Sequence, residues 1–66
     1  MKLKLIYLDC FESRLKDKTY CVYRFLDPNS LQVICGTDLN LSLEQYKLYD
    51  CQMIWKSNKL KVTTIL

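Results

Sequence analysis

The sequence predicts an all-β domain, built as a small five-stranded Greek-key barrel. Turn signals divide the 66 residues into five short segments, most of which alternate apolar with polar residues as half-buried strands do. An irregular connector follows the third segment, at the place where OB folds usually carry a helix. These observations favour an OB-like barrel, with an SH3-like barrel as the alternative. The length allows one domain, residues 1–66.

The first two strands are predicted from Lys2 to about Glu12 and from Thr19 to Leu26. In the first, lysines alternate with leucines, and the phase then slips near Ile6 so that Leu8 takes the inward side; such a slip indicates a β-bulge. The second is rich in β-branched and aromatic residues, which favour strands. Between them, the polar and basic segment 13–18 predicts a hairpin loop.

The middle of the chain holds its clearest turn. Residues 27–30 read Asp-Pro-Asn-Ser, with Pro28 at the second turn position, where its fixed φ fits. The third strand is predicted at 31–35 and is ended by Gly36. Residues 37–45 then predict an irregular connector that contains at most a short helix.

The last two strands form a predicted hairpin. The fourth runs from Tyr46 to Trp55, and its alternation directs Cys51, Met53 and Trp55 to one side. The segment 56–59 predicts a tight turn, because Asn readily takes a positive φ. The fifth strand is predicted at 60–66.

The composition limits the kinds of partner that we expect. Half of the residues are apolar or aromatic, which is a high share for so small a domain, so we expect some apolar surface to meet a partner, most simply in a homodimer. The net charge of +3 permits binding to a polyanion without demanding it. The chain start lacks the pattern of a secretory signal and no apolar run could span a membrane, so we expect a cytoplasmic protein.

The residue types argue against catalysis and against a bound cofactor. Histidine is absent, and no nucleophile elbow, phosphate loop or carboxylate cluster is present, so we expect neither an enzyme nor a cofactor. Each of the four cysteines lies in an apolar run, which predicts reduced, buried thiols and no metal; zinc binding and disulfides are the alternatives. The cysteines are Cys10, Cys21, Cys35 and Cys51.

A basic loop is the first candidate binding feature. Arg14, Lys16 and Lys18 stand at alternate positions, and Arg24 follows on the second strand. Cations that project the same way from a hairpin reinforce one another and suit a phosphate backbone. A solvated hairpin tip is the other interpretation of the same residues.

Aromatic residues are the second candidate, because bases stack on exposed rings. Most of the eight aromatics must belong to the core, but Tyr7 and Tyr20 lie out of phase with their inward neighbours and are predicted at the surface. Tyr20 and Arg24 would share the outer face of the second strand. Lys59 and Lys61, near the last hairpin, would either extend a phosphate track or protect a strand edge.

Segments 18–27, 45–50 and 58–62 (KTYCVYRFLD, QYKLYD and NKLKV) resemble in layout the small OB-fold single-stranded-DNA-binding proteins of phages and mobile elements. The resemblance covers most of the chain and implies non-catalytic binding of single-stranded DNA, or of RNA, often by a dimer. By position it implicates Arg14, Lys16, Lys18, Tyr20 and Arg24.

The apolar content also supports a different function. A protein-interaction module, such as a phage-encoded inhibitor or adaptor of a host protein, would use an apolar surface or an exposed strand edge. An obligate subunit of a larger complex would bury the same surface permanently. The residues alone do not separate these alternatives.

Overall fold

The computed structural model describes residues 1–39 and 41–66, so Asn40, inside the predicted connector, lies outside the described residues. Five strands close into a barrel in the order β1-β2-β3-β5-β4, in which β1 also pairs with β4 and β3 runs parallel to β5. The predicted class, a small OB-like five-stranded barrel, is confirmed. The strands are β1 Lys2–Leu15, β2 Lys18–Leu26, β3 Val33–Thr37, β4 Leu48–Lys56 and β5 Lys59–Ile65.

The core fills the barrel with side chains from every strand. Phe25 is fully buried at its centre, and the Tyr7 ring packs against it with 5.6 Å between ring centroids. Because burial of a large apolar side chain contributes about 1.5–3 kcal/mol, these contacts hold the barrel closed. The buried apolar residues are Leu5, Tyr7, Tyr23, Phe25, Ile34, Cys51, Met53 and Val62.

A β-bulge decides which side chains of β1 enter this core. The register with β2 shifts between Tyr7 and Asp9, so the bulge lies at Leu8, beyond the slip predicted near Ile6. Tyr7 therefore stays in phase with Leu5 and points inward, where it is 5% exposed. The prediction that Tyr7 lies at the surface is wrong, because the bulge comes one residue after it.

The first hairpin is longer than predicted. β1 continues to Leu15 and meets β2 across a two-residue turn at Lys16 and Asp17. Ser13 pairs with Tyr20, so most of the predicted loop 13–18 is strand. Charged side chains are compatible with a ribbon that is exposed on both faces, and they misled the loop prediction.

Gly36 lies inside β3 and does not end it. It is paired with Tyr23 on one side and, in the parallel ladder, with Val62 on the other. A Cβ at this position would stand 2.7 Å from the Val62 carbonyl oxygen and 3.2 Å from the Leu39 Cδ1. Glycine is needed here because β5 approaches β3 so closely.

The two predicted turns are confirmed. Asp27 is buried, and its carboxylate accepts bonds from the Asn29 N–H at 2.9 Å and the Ser30 hydroxyl at 3.0 Å, which hold the pKa of Asp27 below its usual range. Ser57 and Asn58 have φ values of 53° and 63°, as a type I′ hairpin turn requires.

The connector between β3 and β4 is irregular, as predicted. Its described residues include a turn at Gln45 and Tyr46 and no helix. The Glu44 N–H donates to the Tyr49 hydroxyl at 2.9 Å, which fastens the connector to β4. In the described part of the chain, no helix is long and apolar enough to cross a membrane.

All four cysteines are free, but they are not all buried. Cys51 is fully buried, and burial raises the pKa of its thiol to about 11. Cys10 is exposed, because it follows the bulge on a part of β1 that extends past the barrel. The prediction that every cysteine is buried therefore holds for Cys51 alone: Cys21 and Cys35 are half-buried, Cys35 lines the outer groove, and Cys10 is exposed.

Candidate functional site

A groove of about 790 Å³ crosses the outer face of β2 and β3 and reaches the β4–β5 hairpin. Since Tyr23 and Phe25 point inward, alternation turns Tyr20 and Val22 outward, where both line this groove. Val33 of β3 lines it as well and is 51% exposed. We call this surface the β2–β3 groove.

An exposed tryptophan borders the groove. Trp55 lies at the end of β4, lines the groove and is 65% exposed. Trp55 is two residues after Met53, which is 1% exposed, so the core is covered at Met53 and no longer covered at Trp55, where β4 extends past the barrel. A tryptophan two residues before a hairpin turn was the available signal, because strand ends near a turn project beyond the core.

Two of the predicted lysines lie along the same groove. Lys59 and Lys61 both line it, and Lys61 is paired in register with Cys35 of β3. Lys18 faces the same side of the barrel, because it pairs with Leu15, which also lines the groove. The structure therefore places the predicted Tyr20, Lys59 and Lys61 in one groove, with Lys18 on the same face.

Arg14 and Lys16 are not part of the groove lining. Arg14 pairs with Thr19, so it lies on the opposite face of the β1–β2 ribbon from Leu15 and Lys18. Lys16 stands in the turn with a φ of 57°. The expectation that Arg14, Lys16 and Lys18 project together is wrong, because the chain reverses at Lys16 and alternation does not continue through a turn.

Arg24 lies on the outer face of β2, as predicted, but its charge is already matched. Its Nε and Nη2 donate to the two carboxylate oxygens of Asp9 at 2.7 and 2.6 Å. This bidentate pair raises the pKa of Arg24 and lowers that of Asp9, because each ion stabilises the charged form of the other. Arg24 therefore positions β1 against β2 and contributes less positive potential than an unpaired arginine.

A second, smaller groove of about 560 Å³ lies on the other side of the barrel. Lys2 and Lys4 of β1 line it together with Leu48 and Asp50 of β4. Asp50 is paired in register with Lys4, so an acid stands among the cations of this surface. It offers no aromatic ring, and its charges are mixed, which distinguishes it from the β2–β3 groove.

Comparison with protein-family models, with curated proteins and with solved structures finds no match to this chain. Within residues 1–39 and 41–66, no three cysteine or acidic side chains are grouped so that they could hold a metal ion. The arrangement itself offers two kinds of contact. The exposed Trp55 ring and the half-buried Tyr20 ring can stack on planar groups, and the ammonium groups of Lys59 and Lys61 can attract anions.

Proposed function

We propose that this protein binds single-stranded nucleic acid, without catalysis, in the β2–β3 groove. The observation that carries the proposal is the position of Trp55, a 65% exposed indole beside a groove that Lys59 and Lys61 also line. Single strands are bound where stacking rings accompany a cationic track. OB folds commonly use the face of their second and third strands together with adjoining loops, which supports the same surface.

The energetics fit sequence-tolerant binding. Stacking of one base on an aromatic ring contributes about 1–3 kcal/mol, whichever base it is. Each lysine that contacts a phosphate displaces counterions, so the affinity depends on salt. Because the groove offers Lys59 and Lys61, with Lys18 on the same face, we expect moderate affinity with a shallow salt dependence.

The test is titration with oligo(dT) at low and at near-physiological salt, followed in two ways. Trp55 is the single tryptophan, so quenching of intrinsic fluorescence reports contact at the groove itself. Anisotropy of a labelled oligonucleotide reports binding anywhere on the protein. Both signals should give the same dissociation constant. Anisotropy change without quenching would place the nucleic acid elsewhere, and no binding at low salt would refute the proposal.

A charge-matched pair of variants localises the contact. The Lys59→Ala, Lys61→Ala protein removes two cations from the groove, and the Lys2→Ala, Lys4→Ala protein removes two from the opposite groove. The first should lower the slope of log affinity against log salt by about 1.4, since a phosphate contact to a single strand contributes about 0.7. The second should leave the slope unchanged.

A second candidate is binding of an extended protein segment in the same groove. The exposed Val33 and Leu15 favour it, because aliphatic side chains on a surface more often accompany protein contacts than nucleic-acid contacts. Such binding would be insensitive to oligo(dT) and would change little between the two salt concentrations. A host protein partner therefore becomes the proposal to pursue if the oligonucleotide titration is negative.

A further inference from the structure

β1 is longer than the strand beside it. β4 pairs with β1 only from Lys2 to Ile6, and backbone bonds to Tyr7 extend the contact by one residue. The Gln45 side-chain amide then donates to the Leu8 carbonyl at 3.0 Å. From Asp9 to Leu15, β1 pairs with β2 on one side, and no backbone group of the described residues pairs with its other edge. We call this the β1 free edge.

The hairpin turn determines which backbone groups the free edge presents. Leu15 and Lys18 flank a two-residue turn and bond to each other. Because hydrogen-bonded and non-bonded pairs alternate in an antiparallel ladder, Ser13 and Phe11 also bond towards β2. Cys10, Glu12 and Arg14 therefore direct their N–H and C=O groups outward. These are the groups that an added strand would bond.

An unpaired edge of this kind is a template for another strand, and a second copy of the chain brings the same edge. In an antiparallel pair of identical edges, the outward-bonding residues must stand opposite one another. A two-fold axis at Glu12 or at Arg14 would oppose like charges. An axis at Phe11 would extend the pairing to Leu8, whose carbonyl is already bonded to Gln45.

The axis at Ser13 has neither fault. It places Glu12 opposite the second copy's Arg14, and Arg14 opposite the second copy's Glu12, so that two cross-strand ion pairs form. It also sets Phe11 opposite Leu15 twice, and these side chains are 49% and 64% exposed in the single chain. Charge, apolar contact and backbone bonding therefore all favour one register.

We propose that two copies of this protein associate through the β1 free edge, antiparallel and centred on Ser13. The result is a four-stranded ribbon in the order β2-β1-β1-β2. Because the strands run in opposite directions and the axis lies near the hairpin tip, the two barrels stand at opposite ends of the ribbon. Opposed residues share a face, so both β2–β3 grooves open to the same side.

This interface would cover part of the apolar surface that the composition leads us to expect. The dimer proposal does not depend on which ligand the groove binds. The test is the oligomeric mass of the full chain over a wide range of protein concentration, by sedimentation equilibrium. The wild type should show a reversible monomer–dimer equilibrium. A mass that stays monomeric at every concentration would overturn the proposal.

Charge reversals identify the register. Glu12→Arg or Arg14→Glu alone replaces both ion pairs by repulsive pairs and should weaken dimerisation by about tenfold or more. The two reversals together restore opposite charges across the axis and should restore the dimer. Lys18→Glu, on the other strand of the same hairpin, is the control and should leave the equilibrium unchanged. A double variant that remains monomeric would overturn the proposed register.

A backbone variant covers the case in which a charge reversal impairs folding. Glu12→Pro removes an N–H that faces the free edge and leaves the ladder to β2 complete, which is where strands tolerate proline. Its circular dichroism spectrum should match that of the wild type while the dimer is lost. A dimer that survives Glu12→Pro and both single reversals would show that another surface associates.

Discussion

The two hairpins of this barrel have similar construction and different relations to the groove. β1–β2 and β4–β5 each close with a two-residue turn and extend past the core. The first hairpin carries the more conspicuous run of charge, but Arg14 faces away from the groove and Lys16 occupies the turn. The second directs both Trp55 and Lys59 into it. A run of charged residues in the sequence therefore does not show which charged side chains will line the groove.

The difference arises from what supports each hairpin. β5 pairs with β3 in parallel, and this close approach holds the second hairpin beside the groove. The first hairpin is joined to the barrel at the bulge, where Asp9 binds Arg24, and beyond that point it continues as a two-stranded ribbon. The second hairpin lines the groove with Trp55, Lys59 and Lys61. The first lines it with Leu15, Tyr20 and Val22, but turns Arg14 away from it.

The largest expected effect comes from separating β5 from β3. Gly36→Ala would place a methyl group 2.7 Å from the Val62 carbonyl oxygen, a backbone atom that cannot turn aside. We expect the free energy of unfolding to fall by about 1–3 kcal/mol, as in overpacked cores, and oligonucleotide affinity to fall with it as the second hairpin moves. Urea denaturation measures the first, and Thr37→Ala, at the exposed neighbouring position, should change it by less than about 0.5 kcal/mol.

The next effect tests the second hairpin directly. Trp55→Ala should weaken oligo(dT) binding by about five- to 150-fold, which corresponds to the loss of one stacked base. Tyr46→Ala is the matched control, because Tyr46 is 73% exposed and does not line the groove. Anisotropy with a labelled oligonucleotide measures both. Equal losses in the two variants would contradict the assignment of the groove.

A third comparison sets the hairpins against each other at equal charge. Arg14→Ala with Lys16→Ala removes two cations from the first hairpin, just as Lys59→Ala with Lys61→Ala removes two along the second. We expect the first pair to lower affinity by about threefold or less at low salt, through long-range attraction that salt screens, and to flatten the salt slope much less than the second pair does. If it flattened the slope as much as the second pair, the first hairpin would hold phosphates too.

The smallest expected effect concerns the attachment of the first hairpin. The Arg24 guanidinium holds the pKa of Asp9 below its ordinary value of 3.8, so the ion pair stabilises the fold above that pH and is lost as pH falls through the lowered pKa. Asp9→Asn should reduce the acid sensitivity of the melting temperature between neutral pH and pH below 3.8, without abolishing it, since Asp27 contributes in the same direction. Asp17→Asn, in the exposed turn, should keep the wild-type profile.

Local signals predicted most of the fold. The Asp27–Ser30 segment and the Ser57–Asn58 turn were found because Pro, Asp and Asn act through their own dihedral angles and hydrogen bonds. Gly36 was misread because its meaning depends on Val62, a residue that only the closed barrel brings near. The role of a turn residue can be predicted from its neighbours in sequence, whereas the role of a glycine at a close approach depends on a residue that is near it only in the folded chain.

The site was harder to predict for a related reason. Tyr20, Lys59 and Lys61 are predicted binding residues, and the structure places them in one groove with Trp55. Trp55 was missed because alternation tells which side a residue faces and not where the covering layer stops. Tyr7 is predicted on the wrong side because the bulge is expected near Ile6 and lies at Leu8. Between those two positions, every inward or outward assignment is inverted.

The bulge at Leu8 has a consequence for how this chain can vary. Before it, odd-numbered side chains of β1 enter the core; after it, the pairing of Asp9 with Arg24 turns the odd-numbered ones to the groove side. Deleting Leu8 would remove the extra residue, and every other residue of β1 would keep its present partner in β2. What would change is the bend of β1, since bulges impose curvature and extra twist. Residue 8 can therefore be gained or lost without a change in the register of β1 with β2. Its presence changes the direction of the first hairpin and leaves the core unchanged.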